Sequence, residues 1–151
     1  MSRLRKLQLL SGQQRWWLVQ AIFLLPINAV AFGLLGLKDW QRVLVWLASA
    51  FRTSHGNAGL AQANRVAGMV ELAARCGFLK ANCLQRSLTL WWMLKRLGLH
   101  GELKIGVRLN QQQCEAHAWV EYLGCVLNDS TDVSERFAPF AGAIFTAETE
   151  I

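Results

Sequence analysis

Charge is scarce in this chain. Of its 151 residues, 17% are Asp, Glu, Lys or Arg, against about 25% in a typical soluble domain. Acids are scarcer than bases, 10 against 16; proline is confined to Pro26 and Pro139, and tyrosine to Tyr122. Disorder is nevertheless excluded. With 53% hydrophobic residues, the chain has ample apolar surface to offset the entropy of ordering. Four cysteines are too few for a disulfide scaffold, and no collagen-like or low-complexity period suggests a fibrous protein. The length fits one domain, or one domain with an appendage.

The net charge of +6 is unevenly spread. Residues 1–15 contribute +4 through Arg3, Arg5, Lys6 and Arg15 with no acid, residues 38–62 contribute +2 and residues 63–112 contribute +6, whereas residues 113–151 carry −6. A nucleic-acid binder combines a clustered basic footprint with a recognisable reading motif. No such motif is present, so nucleic acid is not an expected partner.

The apolar excess lies near the N-terminus. From Trp16 to Leu37 the chain has no formal charge, a length sufficient to span a bilayer. Three readings compete. A membrane anchor would leave the basic start on the cytoplasmic side. A signal peptide would use Ala29-Val30-Ala31 as its cleavage site. A buried helical pair would break at Pro26, since proline ends or kinks helices. Gln20, Asn28, Pro26, Gly33 and Gly36 interrupt the run and favour burial or peripheral membrane contact over a span. Beyond it, Val43, Trp46, Leu47 and Ala50 recur at helical spacing. The turn formers Thr53-Ser54-His55-Gly56-Asn57 mark a loop, in which His55 is an ordinary surface residue. This places a boundary between an apolar helical segment, 1–57, and a second unit, 58–151.

The second unit changes period along its length. Val66, Met69, Val70 and Ala73 form a helical stripe that Gly77 closes. Asn82 is a favoured N-cap, so Cys83 takes the first position of a helix over roughly 83–97, with Lys95 and Arg96 in its last turn and Gly98 at its stop. That helix is apolar almost all round and therefore buried on most sides. Residues 102–109 then read as a strand. Residues 115–122 alternate well, with Glu115, His117, Trp119 and Glu121 on one face. After a turn at Leu123-Gly124, residues 125–129 read as a returning strand. The expected fold is α+β, with a central helix packed on an antiparallel sheet.

Three chemically active side chains converge on this scaffold. Cys83 at a helix start is placed where unpaired amides and the helix dipole favour a thiolate. The hairpin sets His117 opposite Asp129 or one position away, within reach of a side-chain hydrogen bond. Nucleophile, base and orienting acid follow if the sheet packs against the N-terminal end of the helix; Asp132 is the substitute third member. Taken singly, a buried Cys is usually an inert small hydrophobe and a strand His a satisfied core residue; only their joint placement points to catalysis. The Cys83 backbone amide suits an oxyanion, with Asn82 the tentative second donor. Arg86 and Ser87 support the site from one turn along, and Trp119 packs against His117. Zinc is the rival use of these residues, but Cys114 and His117 are three apart on a strand and so point to opposite faces.

Cys83-Leu84-Gln85-Arg86-Ser87-Leu88-Thr89-Leu90, Ile105-Gly106-Val107-Arg108, His117-Ala118-Trp119-Val120-Glu121 and Val126-Leu127-Asn128-Asp129 resemble the leader peptidases of lasso-peptide biosynthesis, a transglutaminase-like branch of the papain-type cysteine peptidases. The resemblance covers roughly residues 60–135. It implies Cys83 as nucleophile, His117 as base and Asp129 as orienting acid, with no cofactor and no metal. It implies a stand-alone protease that acts on a precursor peptide of leader plus core, with a separate winged-helix leader-recognition protein and an ATP-dependent macrolactam synthetase as partners. Such a reaction belongs in the cytoplasm, at most against the inner face of the membrane, which argues against a signal peptide. Cys114, close to His117, is less expected in that family and leaves open a redox-sensitive site. Two other classes compete: an acyl transferase of the same fold, and a non-catalytic membrane-associated binding module.

Overall fold

The computed structural model describes residues 10–50, 59–77, 80–111 and 113–140. Helix α1 runs Gly12–Ala50, α2 Leu60–Cys76 and α3 Cys83–Arg96. Strands β1 (Glu102–Asn110), β2 (Gln113–Tyr122) and β3 (Cys125–Val126) follow, then a single helical turn, α4 (Val133–Arg136), and a short β4 (Ala138–Pro139). The expected helix over 38–51 is the far end of α1 as far as Ala50. His55 and the expected boundary at 57/58 lie outside the described residues.

The break in the N-terminal segment is not at Pro26. The helix continues through that residue, and the reversal comes at Gly36, where φ is 75° and ψ 171°. Proline loses one backbone hydrogen bond and bends a helix, but Leu25 and Asn28 on either side of it are both buried, and their contacts carry the helix across. Gly36 adopts a backbone conformation in which a Cβ would be strained. It folds the limb 37–50 back along the limb 12–35. Trp40 Nε1 consequently donates to Asn28 Oδ1 at 2.7 Å, whereas twelve residues of straight helix would separate them by about 18 Å.

Helix α3 is the central element, packed on α1 and α2 on one side and on β2 and β1 on the other. Its start is closed by a capping box. Asn82 Oδ1 accepts from the Gln85 amide at 2.9 Å, and Gln85 Oε1 accepts from the Asn82 amide at 3.0 Å, so two donors that the helix cannot pair are satisfied. Its end is closed by Gly98 at φ 75°, with the Leu99 amide donating back to Leu94 O at 2.9 Å. Between the caps every residue from Ser87 to Leu94 is buried. One apolar cluster joins Trp17, Leu25 and Leu44 of α1 to Val66 of α2, Leu90 of α3 and Leu103 and Val120 of the sheet; residues on both sides of the expected boundary share this core.

The sheet is antiparallel, in the order β3-β2-β1-β4. Ile105 pairs with Ala118 and Gly106 with His117. Leu123 and Gly124 both have positive φ, 51° and 76°, as a two-residue type I′ hairpin requires. The returning strand is shorter than predicted: the ladder stops at Val126. Asn128 explains why, since its side chain takes the Val120 amide that a longer strand would have paired with backbone.

Candidate active site

The site lies where the sheet face of α3 meets the middle of β2. Ser87, fully buried, donates to Ala118 O at 3.0 Å and accepts from Asn128 Nδ2 at 2.9 Å. Asn128 Oδ1 in turn accepts from the Val120 amide at 2.8 Å. These bonds fix the helix, β2 and the segment after β3 to one another, and that segment delivers Asp129 to His117. Cys83 is four residues before Ser87, one turn nearer the N-terminus on the same helix face, while His117 adjoins Ala118. Cys83 is partly buried and free of disulfide. The Ser87 clamp thus fixes the helix, one turn after Cys83, against β2 at the residue next to His117. The Cys83 thiol has no hydrogen-bond partner among the described residues.

His117 and Asp129 do meet. His117 Nε2 lies 2.5 Å from Asp129 Oδ2, which leaves Nδ1 as the ring nitrogen available to a thiol. The imidazole stacks on two aromatic rings, Phe137 at 4.8 Å between centroids and Trp119 at 6.3 Å. Trp119 packs against His117 as expected and spends its own Nε1 donor on Glu121 at 2.8 Å. Gly106, opposite His117 in the register, leaves the room this stack needs. A Cβ there would come within 2.9 Å of Trp119 and 3.1 Å of Phe137.

Asp129 is clamped from three sides. Beyond His117, its Oδ1 accepts from the Ser130 amide at 2.7 Å and from Arg136 Nη2 at 2.7 Å. Burial pushes its carboxyl up, but the bonds from His117 and the Ser130 amide outweigh it and hold the pKa below the ordinary carboxylate value. Asp132, the substitute third member, is instead bonded to Ser130 Oγ and Arg136 at the exposed start of α4; Asp129 is the acid that reaches the ring.

The supporting residues divide by direction. Arg86 faces away from the sheet and pairs with Glu71 of α2 at 3.2 Å, tying the two helices together. Asn82 has committed its Oδ1 and its backbone amide to the capping box, so its Nδ2 is the donor left for an oxyanion. The Cys83 amide, at the first helical position, is one of those without an intrahelical acceptor. Cys114 and His117 lie on opposite faces of the continuous strand β2, and no group of three metal-ligating side chains occurs among the described residues.

Sequence reasoning missed Ser130, Arg136 and Phe137 as parts of the site. Arg136 lies seven residues after Asp129 and Phe137 twenty after His117, spacings with no local rule behind them. Asn128 carried one usable signal, as a polar residue next to the acid in an otherwise apolar strand.

A family model described as the transglutaminase-like superfamily matches residues 30–142, a span that contains the whole site and begins within α1. No curated protein and no solved structure matches the chain.

Proposed function

The chain belongs to the transglutaminase-like superfamily, and on that premise we propose that it is a cysteine peptidase that removes the leader from a ribosomally made precursor of the lasso-peptide type. The observation that carries the reading is the His117–Asp129 pair, tied through Asn128 and Ala118 to Ser87 of the helix that Cys83 begins. The motif resemblance around Cys83, His117 and Asp129 supplies the substrate class.

In this mechanism His117 Nδ1 takes the Cys83 proton and the thiolate attacks the scissile carbonyl. The Cys83 amide, with Asn82 Nδ2 as second donor, receives the oxyanion. The intermediate collapses to a thioester as His117 returns its proton to the departing amine of the core peptide. Water, deprotonated by His117, then hydrolyses the thioester, releasing the leader as a free acid and regenerating the thiol. Asp129 keeps the ring in the tautomer that presents Nδ1 to the thiol and stabilises the imidazolium. No cofactor enters any step. The partners are a separate winged-helix leader-recognition protein and an ATP-dependent macrolactam synthetase that consumes the freed core amine. The reaction therefore runs in the cytoplasm, before export.

Incubation with candidate precursor and leader-binding protein, read by mass spectrometry, tests this directly. Cleavage at one peptide bond that vanishes in Cys83→Ala supports it; unchanged cleavage in that variant overturns it. The superfamily description also suits an acyl transferase, in which an amine replaces water on the same thioester. An amide-linked product formed from added amine, without free leader acid, would select that reading. A biological effect that survives Cys83→Ala would select a non-catalytic binding module.

A further inference from the structure

The first limb of α1 is apolar on two opposite faces, and the protein uses one. Trp17, Leu18, Ala21, Leu25 and Asn28 face inward and are buried. Trp16, Val19, Phe23, Ile27, Val30 and Leu34 recur at intervals of three and four on the other side, a continuous stripe about 27 Å long. Phe23 is 65% exposed and Leu34 79%; on the second limb Trp46 is 67% exposed. Where the limbs meet, Ile27, Val30, Leu34 and Leu35 line an open apolar groove with Trp40. A contiguous exposed patch of this kind marks an interaction surface.

By length and composition, residues 12–36 would also suit a membrane span, but the buried face rules that arrangement out for this fold. Asn28 Nδ2 donates to Thr89 Oγ1 of α3 at 2.7 Å and Asn28 Oδ1 accepts from Trp40, while Trp92 Nε1 of α3 donates to Leu44 O at 3.1 Å. A span would have to tear α1 from α3 or draw α3 and the polar sheet into hydrocarbon. The charge of this stretch of sequence indicates what covers the stripe. No acid occurs before Asp39, whereas Arg3, Arg5, Lys6, Arg15 and Lys38 give residues 1–38 a charge of +5. Aromatic rings on an apolar stripe, in a stretch of sequence with a net positive charge, are the features that seat a helix in the headgroup region of an anionic bilayer.

We infer that α1 docks the protein in the plane of an anionic lipid bilayer, its outer stripe in the headgroup–acyl boundary and its inner face on α3. Because α3 separates α1 from the sheet, the docked protein presents its His117–Asp129 side away from the lipid.

Vesicle flotation of the full chain tests this, with phosphatidylcholine alone and with added phosphatidylglycerol, at low and high salt. Binding should require the anionic lipid and weaken with salt. The double variant Phe23→Glu with Leu34→Glu should lower partitioning about tenfold or more while leaving thermal unfolding unchanged. If it fails to fold, Leu34→Ser should give a smaller loss in the same direction. Equal flotation of wild type and a folded variant overturns the proposal. So does a dimer that the variant dissociates without any vesicle binding, since a second copy then covers the stripe. Resistance to alkaline extraction, with opposite ends of α1 protected on opposite sides of the bilayer, overturns it in favour of a span.

Discussion

Two polar networks grip α3 from opposite sides. Toward α1, Asn28, Thr89 and Trp40 are all buried, and Asn28 bonds both of the others; Thr89 adds a bond to Gln85 O at 2.8 Å. Toward the sheet, His117 and Asp129 are only partly buried, and His117 retains a ring nitrogen without a partner among the described residues. The first network is closed and the second is open. A closed network in a low-dielectric interior serves to orient and hold, because each of its polar side-chain atoms already has a partner. An open one retains a proton site that solvent or substrate can reach, as acid–base chemistry needs. The same helix therefore carries its structural anchor and the proposed chemistry on opposite faces, two residues apart in sequence at Ser87 and Thr89.

The comparison can be broken first at the open side. Cys83→Ala and His117→Ala should each abolish cleavage, with losses of about 10⁴-fold to 10⁶-fold in kcat, and Cys83→Ala should keep a melting temperature close to wild type. Asp129→Asn should follow with about 10²-fold to 10⁴-fold, since the ring loses the partner that sets its tautomer; kinetics of precursor cleavage measure all three.

The closed side should respond in the opposite sense. Asn28→Ala leaves the Trp40 donor buried without an acceptor and should cost about 2–4 kcal/mol of stability, read by denaturant unfolding. The surviving folded fraction should keep its kcat. A variant that unfolds no more easily than wild type would mean that the buried network is not what binds α1 to α3.

Ser87→Ala sits between the two and should show both effects. Removing a hydroxyl that bonds Ala118 O and Asn128 Nδ2 should cost about 1–3 kcal/mol. By loosening the cysteine turn against β2, it should also lower kcat about 10-fold to 100-fold, and Ser87→Thr should restore part of both.

The smallest effect concerns pH. The Asp129 carboxyl is held below its ordinary value, so its contribution to stability is present above the unfolded-state pKa and is lost as pH falls through the lower folded-state one. His117→Ala, which removes a bond that lowers it, should move the acid limb of a stability-versus-pH curve upward. An unmoved limb would show that Ser130 and Arg136 alone hold the carboxylate.

Much of this architecture was legible because it rests on local rules. The Asn82 cap, the Gly98 stop, the alternation of β2 and the Leu123-Gly124 turn each depend on residues within a few positions of one another, and each formed where expected. The approach of Asp129 to His117 was legible in part: the two-residue turn sets the register as far as Val126, and the Asn128 bonds hold the rest of the segment in place. Pro26 misled because its local cost is offset by burial on both sides, and Gly36, an interruption of the run like Gly33, did not stand out as the reversal because nothing nearby distinguishes a glycine that tolerates a helix from one that reverses it. The shortened β3 escaped notice because a side chain, that of Asn128, took the place of a backbone partner.

The sequence by itself therefore determined the elements of this protein, their caps and the hairpin register that turns its aspartate back toward its histidine, since short-range backbone and turn geometry settle these. Only the tertiary structure decided that the apolar N-terminal helix folds back at Gly36, that Asn28 anchors it to the cysteine helix, and that one apolar face is left outward. Those outcomes depend on contacts 12 and 61 residues apart, where the burial of a polar group, rather than any local preference, selects the arrangement.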